Sequence, residues 1–177
     1  MFVKHSLFVS RVICGMGRNS GGIRNSERAK RSDKDYYMES KRLRAEALQI
    51  AEQYKGSPLH FTVTKGFQMN VEVTKSDIKT IVSKNTGGDK FNAIKNAIAK
   101  DIKGYVEKAT YWGWRETIPG KHPESAYFVY FNRNLGERTY LCVRKMKSGG
   151  IYKPYAIIDR RTFIAEVGYL HKGKPPQ

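Results

Sequence analysis

The sequence predicts a single α+β domain in which helices precede most of the strands, and two observations predict it. Between Val73 and Asp159, two segments place apolar residues at helical spacing and carry lysines on the other face. Three segments then alternate aromatic or β-branched residues with polar ones, as half-buried strands do. Because 177 residues suffice to bury one core, we expect one domain.

The N-terminal part divides into two segments by composition. Residues 1–32 scatter glycine, serine and arginine without a periodic apolar pattern, so they are predicted to be a flexible basic leader. From Asp33 to Tyr54, apolar residues recur with helical spacing. The Gly-Ser-Pro sequence at residues 56–58 is a typical helix stop, so residues 33–58 are predicted to be a helical segment.

Residues 59–170 carry the patterns of the predicted domain, and residues 171–177 are predicted to be a frayed tail. Two alternating segments around Gly66 predict a hairpin. The predicted elements are the hairpin strands Leu59–Thr64 and Met69–Thr74, helices Ile78–Lys84 and Asp89–Ala109, strands Ala126–Asn132, Arg138–Lys145 and Tyr152–Asp159, and a strand or short helix at Thr162–Leu170. Residues 115–125 are interpreted as a polar link.

The charge of the chain is its most unusual property. Lysine and arginine number 33 against 16 aspartates and glutamates, which gives a net charge of +17. Such a balance indicates a polyanionic partner, with nucleic acid before an anionic membrane surface, although basicity that serves only solubility is the alternative. The helix pattern from Asp89 to Ala109 repeats this sign, and its lysines are expected either to be solvated or to contact phosphates: Lys90, Lys95, Lys100, Lys103 and Lys108.

Several classes of chemistry fit the sequence poorly. The two cysteines, Cys14 and Cys142, form neither a disulfide framework nor a zinc motif, which favours a reducing compartment and a cytoplasmic location. Cys142 lies within a strand pattern and is interpreted as an inert core residue. No apolar run is long enough for a membrane span, so no membrane partner is expected. The four histidines are far apart in sequence, so we predict no metal site and no cofactor: His5, His60, His122 and His171.

Metal-free phosphodiester chemistry remains. In that reaction a ribose 2′-hydroxyl attacks its own phosphate, while the protein supplies a base, an acid and cations. His122 is the leading candidate because it lies in a turn-rich loop and histidine titrates near neutral pH. Lys121 and Glu124 flank it, and Glu124 is a second acid–base candidate. The alternative is an exposed loop histidine without a role. His60, at the start of a predicted hairpin strand, is interpreted as a solvent-facing residue because it lies on the polar phase of the alternation.

The three C-terminal strands provide the remaining candidates. Tyr155 is the third candidate catalytic residue, and either Tyr127 or Tyr130 is expected to stack on a base or to donate a proton. The strand phase of Arg138, Tyr140 and Arg144 is opposite to that of Leu141 and Val143, so the first set is predicted to face the ligand. The predicted nucleic-acid-binding residues are Lys121, Tyr127, Arg138, Arg144, Lys147 and Lys153.

The order of these parts resembles a known family. The run Val-Thr-Lys-Ser-Asp-Ile-Lys-Thr at residues 73–80, a lysine-containing helix, a polar loop, and Gly-Glu-Arg-Thr-Tyr-Leu-Cys-Val at residues 136–143 precede a tyrosine-bearing strand. This order is similar to the barnase-like domains of large polyvalent proteins of phages and conjugative elements, which share the barnase, EndoU, colicin and RelE nuclease fold. The resemblance covers residues 59–159 and rests on element order and loosely patterned positions.

The resemblance implies N-terminal helices packed on a four-stranded antiparallel sheet. It also implies a metal-independent ribonuclease or tRNA-targeting toxin, for which a cognate inhibitor protein is a conceivable partner. Because members of this family differ in their catalytic residues, no fixed triad is carried over. The leading hypothesis is therefore a protein that binds RNA and cleaves it. The alternative is a non-catalytic module of a phage or conjugative element that holds nucleic acid or another protein.

Overall fold

The computed structural model describes residues 22–176, with side chains from residue 33 onward. These residues form five helices and six strands and have an α+β fold, as predicted. In chain order the elements are α1 (Gly22–Gln53), β1 (Leu59–Thr64), β2 (Gln68–Val73), α2 (Lys75–Ser83), α3 (Gly88–Lys100), α4 (Ile102–Lys108), β3 (Thr110–Glu116), β4 (Ser125–Asn134), β5 (Arg138–Met146), β6 (Tyr152–Asp159) and α5 (Arg160–Glu166).

The six strands form one mixed sheet in the order β1-β2-β6-β5-β4-β3. The four strands β3 to β6 pair antiparallel with their neighbours, and so do β1 and β2. The β1–β2 hairpin joins the rest through one parallel pairing, between Val71 and Tyr152. The expectation of a four-stranded antiparallel sheet was therefore wrong in strand number and in direction.

The additional strand, β3, was not predicted, and its last two residues were assigned to the polar link. Its pairing shifts by one residue between Tyr111 and Gly113, and Gly113 has a φ of 145°, which an L side chain rarely adopts. This bulge interrupts the alternation on which strand prediction depends. β3 continues to Glu116, so the loop before β4 is shorter than predicted.

The two faces of the sheet bury different sets of side chains. One face, here called the helix face, carries Val129, Phe131, Leu141 and Val143, which pack in one core with residues of α1 to α4. The opposite face, here called the cleft face, carries a second apolar cluster that α5 covers in part: Phe128, Tyr130, Tyr140, Cys142, Ala156 and Phe163. The predicted phase of β5 is confirmed, because Leu141 and Val143 lie on the helix face and Tyr140 does not.

The helices differ from the prediction at two boundaries. Helix α1 begins at Gly22, before the predicted start at Asp33, and residues 1–21 of the predicted leader lie outside the described residues. The single predicted helix from Asp89 to Ala109 is two helices, because Asp101 accepts a hydrogen bond from the Gly104 backbone N–H at 2.8 Å and caps α4. No helix within the described range is long and apolar enough to cross a bilayer.

The C-terminal segment was predicted to be frayed, yet it lies against β3 as far as Gly173. The backbone of His171 exchanges hydrogen bonds with Trp114, at 3.1 and 2.8 Å, and the two rings stack at 4.5 Å. The Tyr111 hydroxyl donates to the Gly173 carbonyl at 2.9 Å, and Pro175 is buried. Because β3 is an edge strand, its free backbone groups can pair with this segment.

Lys95 departs from the expected lysine surface. It is only 2% exposed, and its Nζ donates a hydrogen bond to the backbone carbonyl of Lys84. Burial, together with the charges of Arg44 and Lys84, lowers the pKa of Lys95 to about 8. Other lysines of the predicted face meet carboxylates of the chain itself: Lys90 contacts Glu137, Lys100 contacts Glu46 and Lys103 contacts Glu107.

The lowered pKa of Lys95 predicts a pH-dependent stability. An unfolded lysine titrates near 10.5, so between pH about 8 and about 10 the unfolded chain binds more protons than the folded one. The free energy of unfolding should therefore rise with pH in this window, relative to a Lys95→Met variant, by at most about 1.4 kcal/mol per pH unit. Urea unfolding of both proteins across this range measures the difference. Lys103→Met, which replaces an exposed lysine, is the control, and its free energy of unfolding should change with pH as that of the wild type does. If the Lys95→Met variant shows the same pH dependence as the wild type, the burial argument is contradicted.

Candidate active site on the cleft face

His122 and Tyr155 meet on the cleft face although they belong to different elements. The loop before β4 makes two successive turns, in which the N–H of Lys121 bonds to the carbonyl of Ile118 and the N–H of Ser125 to that of His122, both at 3.0 Å. These turns place the imidazole ring edge-on to Tyr155, with ring centres 5.1 Å apart. His122 Nε2 lies 3.4 Å from the Tyr155 hydroxyl, at the long limit of a hydrogen bond.

A β-bulge brings Tyr155 to this face. In the β5–β6 pairing, Cys142 is opposite Ala156 and Val143 is opposite Pro154, so Tyr155 has no opposite residue. Tyr155 and Ala156 consequently both lie with the cleft-face cluster, whereas Ile157 packs in the helix-face core. Regular alternation would have put Tyr155 on the same face as Ile157.

Glu124 and Arg144 form the polar side of the site. Arg144 Nη1 donates to Glu124 Oε1 at 2.8 Å, and the same carboxylate oxygen lies 3.9 Å from His122 Nδ1. The Arg144 guanidinium lies 5.7 Å from the centre of the Tyr155 ring. Its Nε is buried and finds no hydrogen-bond acceptor among the described residues. His122, Glu124, Arg144 and Tyr155 therefore form one cluster, here called the His122 cluster.

Lys84 joins this cluster from the end of α2. Its Nζ lies 4.0 Å from the centre of the Tyr155 ring, in the geometry of a cation–π contact. The sequence analysis did not identify Lys84 because nothing near it in the chain indicates a site. The side chain reaches Tyr155 only because α2 packs against β6.

Cations also cross the sheet in one row. In the strand register, Arg115 is opposite Phe128, Phe128 is opposite Arg144, and Arg144 is opposite Lys153. Adjacent strands lie about 4.8 Å apart, so this row continues from the His122 cluster toward both sides. Lys153 donates to Glu72 at 2.7 Å, which partly neutralises its end of the row. Arg115 was missed because the bulge at Gly113 hid its strand.

A cavity of about 550 Å³ lies beside the His122 cluster. Its wall combines apolar side chains with a few polar groups: Arg115, Ile118, Lys121, His122, Phe128, Tyr130, Cys142, Tyr155, Ala156, Ile158, Glu166 and Val167. Arg115 Nη1 donates to the backbone carbonyl of Glu166 at 3.0 Å, but within the described chain its buried Nε lacks an acceptor. The cavity is thus bounded by both polar and apolar surface, with cations at its wall.

Cys142 lies in the wall of this cavity next to Tyr130, its neighbour on β4. Burial raises the pKa of the Cys142 thiol to about 12 and also raises the pKa of Tyr130. Both groups are therefore neutral at pH 7. The interpretation of Cys142 as a buried, unreactive core residue agrees with this environment.

Two predicted binding residues lie away from the His122 cluster, and a third, Lys147, contacts it through its backbone. Tyr127 lies on the helix face, where its hydroxyl is 2.7 Å from that of Tyr152, so the prediction that it stacks on a base was wrong. Arg138 begins β5, six residues before Arg144 and so about 20 Å along the strand. Lys147 is exposed; its backbone N–H bonds to the Glu124 carbonyl at 3.0 Å. His60 is 63% exposed, as expected for a solvent-facing residue.

Potential metal ligands do not cluster in the described part of the chain. No three histidine, cysteine, aspartate or glutamate side chains come together there in a way that could hold a metal ion.

Comparisons of the chain with family models, with curated proteins and with solved structures gave no match. The function must therefore be inferred from the geometry and charge of the site itself.

The environment of Cys142 predicts slow thiol chemistry. With a pKa of about 12, its thiolate fraction at pH about 8 is roughly a thousandfold below that of a free cysteine. In a Cys14→Ser background, a disulfide reagent should modify Cys142 in the native protein at least about a thousandfold more slowly than in the urea-unfolded protein. Absorbance of the released thiol measures both rates. Equal rates would show that the cavity wall is open to the reagent.

Proposed function

We propose that the protein binds RNA across the cleft face and cleaves it, without a metal ion, by attack of a ribose 2′-hydroxyl on the adjacent phosphate. The observation that carries this proposal is the His122 cluster, in which an imidazole, a phenol, a carboxylate and a guanidinium lie within reach of one phosphate. This chemistry needs a base, an acid and a cation at a single point. The net charge of +17 provides the long-range attraction for a polyanion.

His122 is the proposed general base. Glu124, at 3.9 Å from Nδ1, favours a proton on that nitrogen, and Nε2 is then free to accept the proton of the 2′-hydroxyl. The 2′-oxygen forms a bond to phosphorus while the bond to the 5′-oxygen of the next nucleotide breaks. Tyr155, whose hydroxyl is 3.4 Å from Nε2, is placed to protonate the leaving 5′-oxygen. The products would be a 2′,3′-cyclic phosphate and a 5′-hydroxyl end.

Arg144 and Lys84 are the proposed phosphate contacts in this reaction. Both lie next to Tyr155, and both carry positive charge where the transition state gains negative charge. The Arg144 side chain is partly exposed, so its guanidinium can offer N–H groups to a phosphate oxygen. Glu124 holds the guanidinium through Nη1 and limits its freedom before substrate binds.

The cavity beside the cluster is the proposed position of a base next to the cleaved bond. Phe128 and the aliphatic side chains of Ile118, Ile158 and Val167 can contact an aromatic face. This role passes from Tyr127, which faces the other way, to the residues of the cleft face. The relation to barnase-like domains, a toxin role with a cognate inhibitor, and an origin in a mobile element remain predictions from the sequence.

The second candidate function is binding without cleavage. The cross-sheet row of Arg115, Arg144 and Lys153 favours it, because a row of cations contacts a phosphate backbone without any acid–base pair. Cleavage assays distinguish the two candidates directly.

Removal of the proposed base tests cleavage. In the presence of EDTA, wild-type protein should convert total RNA to fragments that end in a 2′,3′-cyclic phosphate. His122→Ala should slow this conversion by about 10²- to 10⁴-fold, with RNA affinity little changed, because general base catalysis contributes that much. Gel electrophoresis and end-group analysis measure both. His60→Ala is the matched control and should remain active. If RNA stays intact after incubation with wild-type protein, the cleavage function is contradicted and only the binding function remains.

Two arginines of β5 test the position of the phosphate. Arg144→Gln should weaken binding of single-stranded RNA and reduce the salt dependence of the affinity by the contribution of one phosphate, a slope change of about 0.7. Arg138→Gln, about 20 Å away along the same strand, should leave both quantities nearly unchanged. Fluorescence anisotropy at several salt concentrations measures the slopes. Equal effects of the two substitutions would contradict the assignment of the site.

A further inference from the structure

A second cavity lies on the other side of Lys84, among the helices. It has a volume of about 310 Å³ and lies between α1, the end of α2 and the beginning of α3. Most of the residues that line it carry a polar group: Tyr37, Ser40, Lys41, Arg44, Val82, Ser83, Lys84, Asn85, Asp89, Asn92, Lys95 and Asn96. It shares no lining residue with the cavity beside His122, so it is a separate space.

Positive charge dominates this cavity. Lys41 and Arg44 come from α1, Lys84 from the end of α2, and Lys95 from α3. Among the described residues, Asp89 is the one carboxylate in the lining. Four cations around so small a volume repel one another, and an anion in the cavity would relieve that repulsion.

Lys95 makes this arrangement more than an ordinary basic surface. The side chain is 2% exposed, so its ammonium group is largely removed from water. Its hydrogen bond to the Lys84 carbonyl uses one of three N–H donors, and no carboxylate of the described residues pairs with it. Buried cations are ordinarily paired, so an anion next to Lys95 would supply the partner that the described residues do not.

Other cations on α1 and α3 form ion pairs with carboxylates of the chain itself, unlike the cations that line this cavity. On α1, Arg42 bonds to Glu39 and Glu46, two residues before Arg44. On α3, Lys100 also contacts Glu46, and Lys90 contacts Glu137. Arg44, Lys84 and Lys95 form no ion pair among the described residues, and all three line this cavity.

We propose that the cavity between α1, α2 and α3 binds a phosphate group, with Arg44 and Lys95 as its main contacts. A phosphate has the size and charge for this volume, and its oxygens accept several N–H donors at once. Lys84 contributes to both sites, since it lines this cavity and also lies over Tyr155. The phosphate can belong to a nucleic-acid chain that continues past the cleft, or it can be a free phosphate. The first source rests on the proposed function; phosphate binding itself does not.

Titration with inorganic phosphate at constant ionic strength, with chloride as the reference anion, tests the site without RNA. Backbone amide shifts at the start of α3, followed by NMR, should report saturable binding by the full-length protein. Arg44→Gln removes an exposed side chain and should weaken the affinity by at least about tenfold, the value of one charge-assisted hydrogen bond. Asp89→Asn removes the opposing carboxylate and should strengthen it. Because the two changes have opposite expected signs, a general loss of folding cannot imitate the result.

Arg42→Gln is the matched control, since Arg42 lies on the same helix but is paired with Glu39 and Glu46. It should leave phosphate affinity unchanged. Equal effects of Arg42→Gln and Arg44→Gln, or shifts no larger than those with chloride, would overturn the proposal.

A second titration distinguishes the two sources of phosphate. A 2′-deoxy oligonucleotide cannot be cleaved by 2′-hydroxyl attack, so it reports binding alone. If it competes with inorganic phosphate, and if Arg44→Gln weakens its binding, the ligand is a nucleic-acid phosphate. If phosphate binds and the oligonucleotide does not compete, the ligand is a free phosphate. Failure of cleavage by wild-type protein would overturn the proposed ribonuclease and leave either result intact.

Discussion

The antiparallel pairing of β5 with β6, and the bulge within it, is the constraint on which the candidate site depends. The pairing fixes Arg144 beside Lys153, and the unpaired Tyr155 turns to the cleft face within reach of His122. Without the bulge, Tyr155 would lie among the residues of the helix-face core. Both faces of the strands are buried over much of their length, so the register cannot slip without exposing apolar side chains to water.

The distribution of charge follows from this sheet and its helices. Several cations form ion pairs within the chain. Glu46 and Glu137 pair with lysines of the helices, and Glu72 and Glu124 pair with cations of the sheet. Cations without such a partner lie, among other places, at the wall of the cleft-face cavity and around the cavity that contains Lys95. Lys84 links the two places, because its carbonyl accepts a hydrogen bond from Lys95 while its side chain covers Tyr155.

Much of the local structure was predictable from apolar periodicity. The hairpin β1–β2, helices α2 and α3, and strands β4 to β6 follow patterns that depend on neighbouring residues alone. The errors have a common cause. Gly113 and its bulge hid β3, the cap at Asp101 divided one apolar stripe into two helices, and a free strand edge held the segment around His171. Each depends on backbone geometry or on a distant partner, which periodicity does not encode.

The sequence by itself determined the α+β class, the strong positive charge and the choice of His122, Glu124, Tyr155 and Arg144 as candidates. These follow from composition, turn residues and the two-residue period of strands, which are local properties. Only the tertiary structure decided that these four side chains meet, that Tyr127 faces the other side, and that Lys84 and Arg115 join them. Such contacts depend on strand register, a bulge and helix packing, through which residues far apart in the chain come within a few ångströms of one another.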